Sequence, residues 1–558
     1  MKLFRRNAVV AVLMALLLVL GSLLSACGKK DPVKHMQYVE EKAVEEFAED
    51  LANILDEYNK VGSKFDNGSV SSEIDVDISE AALSMLEIMA SASGAEIDLS
   101  WLSNIGLDME GYIGSELVAY NLTLGLGESD LIGLDLMTDV ETMTVYAGIP
   151  ELVKKYLAID VDAALSSDPS LDLDDSLFSQ FQTLIQPQPL FSMATPDGEV
   201  LEKLINKYMG IVIGGLKRVE RTEGTAIANG VEAACDVLKV TVTEADAIAI
   251  AENVLTEVKG DKDFKEMFVA LADPYIAYMN SLGGIPATEF QSGEEVYKGL
   301  CALIDDTLVT LAEEKAEIAD VTEEEALSKA VILETYVNKK DEIIGRRISA
   351  EGEELFSYFY VENKKDFSLE LSVEGEQLLR GNGTTGKKLN GTFTLVPQGG
   401  EDSLVLTVKD LDLDLLEDGY INGTFDIDAA AIAENCDDDT VSAILENYTI
   451  RLVCEQGDGS TGKFALSLLD ANGADFVKIT VASKLGKGKA PSLPAAENVI
   501  TISPEMDEAQ AEQLGMELLT SIDVEAIKDR LNSSPIPKEY VQLIEQYLAY
   551  IDMLVAHP

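Results

Sequence analysis

The sequence predicts an α+β fold in which long antiparallel β-meanders, arranged as curved-sheet or half-barrel units, pack against amphipathic helices. Three observations predict it. Apolar residues recur at spacings of three and four in several blocks, the signature of helices with one buried face. Between those blocks the period drops to two, as in strands with one face covered. The strand runs are joined by short Asn-Gly, Asn-Lys-Lys-Asp and glycine-rich turns rather than by helical crossovers, so neighbouring strands are antiparallel.

In chain order, residues 33–60 place Val39, Ala43, Phe47, Leu51, Ile54, Leu55 and Tyr58 on one helical face, with an acidic face opposite. Ser72 to Ile78 alternates polar and apolar residues, and a helix is expected over 79–92. Strands are expected over about 107–147, including Leu117–Leu126 and Val140–Tyr146, then a short helix from Pro150 to Leu157. Residues 172–216 read as helical with a break at Pro187-Gln188-Pro189. Lys217–Ile227 and Val231–Thr243 flank Asn229-Gly230, a pair suited to the positive φ angles of a type I′ hairpin. Thr243 is placed to cap a helix Glu244–Val258, and Ser292 with Glu295 to cap a helix Glu294–Glu314.

From about 328 to 503 the pattern is nearly all strand. Asn338-Lys339-Lys340-Asp341 and Asn363-Lys364-Lys365-Asp366 mark two turns, and Leu389–Phe393 resembles Ile421–Phe425. The spacings are not constant, which argues for a meander and against a solenoid. Residues 504–556 return to helix, divided by Pro535 and Pro537. A chain of 558 residues is too long for one core. The expected blocks are 1–26, 27–65 with the first helix, 66–325 with a first sheet and helices, 326–503 with a meander, and 504–558 with C-terminal helices.

The N-terminus carries an address. Lys2, Arg5 and Arg6 precede an apolar run from Ala8 to Leu20, and Leu24-Ser25-Ala26-Cys27 follows. This arrangement resembles the lipobox of bacterial lipoprotein signal peptides. The resemblance implies removal of residues 1–26 and lipidation of Cys27, which would hold the chain on the outer face of the cytoplasmic membrane. An uncleaved apolar anchor and a freely secreted chain cut after Ala26 are the alternatives.

Composition narrows the partners. The chain has 100 acidic and 42 basic residues, a formal charge of −58; the leader holds three of the cations and no acid, so without it the charge is −61. Phosphate backbones repel such a chain, so no nucleic-acid partner is expected. Among the cysteines, Cys436 and Cys454 are the candidate disulfide, with buried free thiols as the alternative.

The catalytic signals dissolve on inspection. GNGTTGK (381–387) and GDGSTGK (457–463) match a dinucleotide fingerprint, but strand patterns follow each one, whereas a phosphate loop must open a helix. Asp410, Asp412 and Asp414 mimic the start of a calcium loop, yet its turn glycine is replaced by Leu415, so an acidic strand face is expected instead. There are two histidines, His35 near the tether and His557 at the end, which disfavours histidine-dependent catalysis. No catalytic residue, metal site or cofactor is expected.

The hairpin Lys217–Thr243 running into a helix, with the paired hairpins over 331–373, loosely resembles the LolA/LppX-like lipoprotein carriers. That resemblance implies a curved half-barrel that binds acyl chains. The expectation is therefore a non-catalytic lipoprotein, anchored in the membrane through its lipid, that binds an apolar ligand or envelope lipid between sheet and helices. The alternative is a structural or protein-interaction lipoprotein with an envelope protein partner and no small ligand.

Overall fold

The computed structural model describes residues 31–63, 68–92, 97–161, 196–281, 292–396, 404–428, 447–457, 459–503, 506 and 508–556. In chain order it contains helix α1 (Pro32–Ser63), strand β1 (Gly68–Ile78), helix α2 (Glu80–Ala92) and strands β2 (Asn104–Ile113), β3 (Leu117–Leu126), β4 (Ser129–Asp139), β5 (Thr144–Gly148) and β6 (Tyr156–Asp160). Helix α3 (Gly198–Gly215), strands β7 (Val219–Ala228) and β8 (Val231–Val242), and helices α4 (Glu244–Gly260), α5 (Lys262–Ser281), α6 (Gly293–Glu317) and α7 (Glu323–Ser328) come next. Strands β9 (Val331–Val337), β10 (Ile343–Ala350), β11 (Glu353–Asn363), β12 (Asp366–Val373), β13 (Glu376–Thr384), β14 (Lys388–Leu395) and β15 (Leu404–Asp412) follow, then helix α8 (Leu413–Glu417). The chain ends with strands β16 (Gly423–Asp428), β17 (Thr449–Gln456), β18 (Thr461–Leu469), β19 (Asp475–Lys487) and β20 (Val499–Ile502), and helices α9 (Glu508–Ser521), α10 (Val524–Ser533) and α11 (Lys538–Ala556). The architecture is α+β with long antiparallel meanders, as the periodicities predict.

The chain forms two compact units, each drawn from two stretches: residues 1–59 with 193–419, and 60–192 with 420–558. In the first unit, β7 to β15 pair in sequence order, each antiparallel to the next. One face carries Leu238, Val240, Leu333, Val337 and Ile348, packed against Met36, Val39 and Ala43 of α1 and Val212 and Ile213 of α3. The opposite face curls inward. The β7–β8 turn has Asn229 at φ 45° and Gly230 at φ 79°, matching the expected hairpin chemistry. The Asn229 amide donates to the carbonyls of Leu369 (2.7 Å) and Gly381 (3.1 Å), so the hairpin tip is clasped across β12 and β13. Small residues allow this close approach. Ala226 and Ala228 are fully buried and pack with Tyr336, Phe359 and Val361, so the inside of the curl is filled.

The helices around this sheet follow their caps. Thr243 and Asp246 form the reciprocal capping box at the start of α4, and Ser292 accepts from the Glu295 amide at the start of α6. Asp261 both caps α5 and joins it to α3. Its Oδ1 accepts from the amides of Asp263 and Phe264, and its Oδ2 from Lys207 Nζ (2.7 Å) and the Tyr208 hydroxyl (2.9 Å). Burial works to raise the Asp261 pKa, but Lys207, the Phe264 amide and Tyr208 together hold it down at about 2. A depressed carboxyl stabilises the fold above its ordinary pKa and loses that contribution as the pH falls toward 2. A drop from 3.8 to about 2 corresponds to about 2 kcal/mol. Unfolding titrations between pH 5 and 2 should show Asp261→Asn less stable at neutral pH and flatter in its acid dependence by about that amount.

In the second unit the ladder runs β16-β17-β18-β19-β1-β2-β3-β4-β5-β6, all antiparallel, and β20 adds parallel to β6. The pairing of β1 with β19 joins residues about 400 positions apart, Gly68 with Lys487 through Ile78 with Val477. The C-terminal helices dock at one end of this sheet. Asp523 donates its amide to Leu152 O and bonds Lys154 at 2.7 Å, and Ser129 Oγ donates to Ser533 O.

Three local expectations are corrected. Pro150–Leu157 is not a helix: one turn closes at Ile149 O, Val153 then bridges Ile522, and Tyr156–Asp160 is a strand between β5 and β20. Cross-strand pairing outweighs the helix-start signal of the proline. Val140–Tyr146 is not one strand, because Asp139 accepts the amides of Glu141 and Thr142 and turns the chain before Thr144. The acidic strand expected over Asp410–Leu415 holds only to Asp412, the end of β15: Asp410 sits at φ 54° beside a bulge, and Asp412 caps the short helix α8 through the Leu415 amide. The segment 172–195 lies outside the described residues apart from its C-terminal continuation in α3.

Candidate functional site

Neither glycine-rich motif opens a helix: residues 381–384 end β13 and 385–387 turn the chain into β14, while Gly457 follows β17 and residues 461–463 begin β18. Gly381 in the first motif serves strand packing, as does Gly391, which lies opposite Gly383 on β14. A Cβ at Gly381 would lie 2.6 Å from the Phe393 ring, and one at Gly391 would lie 2.9 Å from that of Phe367. The rings stack across the sheet, Phe367 on Phe393 at 5.9 Å and on Tyr360 at 5.7 Å. Aromatic side chains thus fill the space that strand glycines leave. Among the described residues no group of three or more histidine, cysteine, aspartate or glutamate side chains is gathered to hold a metal.

The residues Leu24, Ser25, Ala26 and Cys27 lie outside the described residues, as does Cys436. Cys454 is a buried free thiol in β17, its pKa raised by burial. His35 does not sit on an exposed stub. It is buried on α1, with Nε2 2.9 Å from Asp341 Oδ1. One turn further, Glu40 receives both Arg346 Nη1 (2.8 Å) and Nη2 (2.7 Å), and Thr335 donates to it at 3.2 Å. Both charges are buried, at 0% and 2% side-chain exposure. The guanidinium is held charged because Glu40 outweighs the opposing effect of burial. Sequence reading passed over this pair; its signal was a glutamate inside the inward stripe Met36, Val39, Ala43 and an arginine inside the strand Ile343–Ile348.

The second unit carries the distinctive surfaces. One face of its sheet is apolar in successive cross-strand rows. One row runs Cys454, Phe464, Val481, Ile74, Leu107, Leu124; the next runs Leu452, Leu466, Ile479, Val76, Ile105, Leu126. Part of this face meets solvent: Phe464 is 36% exposed, Leu466 45%, Ile479 37% and Leu124 38%. The other face holds a polar groove of about 690 Å³ across β17, β18, β19, β1, β2 and β3. Two cross-strand rows floor it, Lys463-Ala482-Glu73-Asp108 and Lys484-Ser71-Glu110-Asn121. A second cavity, of about 600 Å³, lies in the first unit between α3, α4 and α6, where Glu252 is bonded to Lys315 and Glu257 to Lys207.

No helix among the described residues is long and apolar enough to cross a membrane. Comparison with family models, with curated proteins and with solved structures found no match to this chain.

Proposed function

We propose that the chain is a membrane-anchored extracytoplasmic lipoprotein whose second unit binds acyl chains or a comparably apolar ligand on the open apolar face of its sheet. The observation that carries this reading is the contiguous, partly exposed row structure around Phe464, Leu466 and Ile479. Exposed apolar patches of this kind mark binding surfaces. In the first unit, Ala226, Ala228 and Phe359 fill the inside of the curl among the described residues. The lipobox resemblance supplies the setting: a thiol-linked anchor at Cys27 keeps the surface within reach of bilayer lipid. The reading assigns no catalytic residue.

The test is native mass spectrometry of the full-length chain extracted into detergent. Wild type should carry non-covalent lipid, and Phe464→Ser/Leu466→Ser should lose most of it. A second reading, a protein-interaction lipoprotein, is favoured by the exposure of Phe464, Leu466 and Ile479 among the described residues. It predicts a bound polypeptide or a dimer mass in place of lipid.

A further inference from the structure

The groove on the opposite face of the same sheet has a charge arrangement that the apolar reading leaves unused. In one row Lys463 and Glu73 are separated by Ala482; in the adjacent row Lys484 and Glu110 are separated by Ser71. Each basic residue therefore stands two strands from its acidic counterpart, about 10 Å at the usual strand spacing. Lys463 also stands directly opposite Glu455 on β17, and Lys484 is a diagonal neighbour of Glu73; the wider Lys463–Glu73 and Lys484–Glu110 separations are floored by a methyl group and a hydroxyl. None of the four makes an ion pair within 4 Å among the described residues, while Arg451 and Asp426, elsewhere on the same sheet, pair at 2.6 Å. Lys463, Lys484, Glu73 and Glu110 are all exposed. The cations lie on the β18–β19 side and the carboxylates on the β1–β2 side, with Asp108 extending the acidic wall. Glu455, opposite Lys463 on β17, bounds the cationic side from outside.

We infer that this groove binds a zwitterion, specifically a di- or tripeptide with free termini. Its carboxylate would face Lys463 and Lys484, and its ammonium Glu73 and Glu110. An extended peptide adds at most about 3.5 Å per residue, so two or three residues span a slot of this width. Ser71, Thr123 and Asn121 line the groove; the Thr123 hydroxyl donates to Asn121 Oδ1 (3.2 Å) and Asn121 Nδ2 to Asp135 (2.6 Å), which leaves the Ser71 hydroxyl, the Thr123 oxygen lone pairs and the second Asn121 N–H for peptide groups. This inference is independent of the apolar face.

The experiment titrates the full-length chain in detergent with triglycine by calorimetry, alongside N-acetyl-triglycine, triglycine amide and glycerophosphoethanolamine. Saturable triglycine binding is expected, with both blocked peptides at least tenfold weaker. Lys463→Gln and Glu73→Gln should each weaken triglycine binding about fivefold, the worth of an exposed ion pair, and together by more than tenfold. The side chains are exposed, so circular dichroism should show all variants folded. The inference fails if triglycine does not bind, if blocking its termini changes nothing, if the double variant binds it unchanged, or if only glycerophosphoethanolamine binds.

Discussion

Replacing Glu40 with alanine should cost the first unit about 3–5 kcal/mol, because it removes the carboxylate that offsets the Arg346 charge at 2% exposure. The physics is asymmetric. Burying both ions is expensive, and their bidentate contact with support from Thr335 repays most of that expense only while both are present. Arg346→Met should be comparably damaging, since it leaves the carboxylate buried. Glu40→Met/Arg346→Met should recover most of the stability, because two apolar side chains of similar volume need no partner. Urea titrations followed by far-UV circular dichroism compare the three. Equal losses in the single and double variants would mean that packing volume, not charge pairing, holds α1 to the sheet.

The second large effect is expected at Gly383. Its Cβ would fall 2.0 Å from the carbonyl oxygen of Asn390 and 2.5 Å from the Gly391 Cα, backbone atoms that no rotamer change can move aside. Gly383→Val should therefore part β13 from β14 and destabilise the sheet by more than about 3 kcal/mol. Gly386, in the same motif, has nothing within 4 Å of its hypothetical Cβ, and Gly386→Val should shift stability by less than about 0.5 kcal/mol. Thermal melts of the two variants separate a strand-packing role from a phosphate-loop role. A loop cradling phosphate needs its glycines for ligand approach and gives no reason for this contrast in a ligand-free melt.

Local chemistry was legible where it was self-contained. Asn229-Gly230 announces its hairpin because only positive φ angles fit that turn, and Thr243 announces α4 because its side chain answers an amide three residues on. Legibility ends where distant segments decide. Tyr156–Asp160 becomes a strand because β5 and β20 stand on either side of it, and residue 499 is invisible from residue 156. The union of β1 with β19 leaves no local trace for the same reason. The site divides likewise. Alternation in Ser72–Ile78 reveals two chemically distinct faces, yet exposure at Phe464 and Leu466 depends on what covers the sheet. The Lys463-Ala482-Glu73 row is assembled from three strands, two of them near the C-terminus and one near residue 73.

The most direct measurement is the mass of the detergent-extracted full-length protein, taken first under native and then under denaturing conditions. The account predicts a denatured mass that begins at Cys27 with covalent acyl chains, and a native mass larger by bound lipid that disappears in Phe464→Ser/Leu466→Ser. A denatured mass that retains residues 1–26, or a native mass equal to the denatured one, would contradict it.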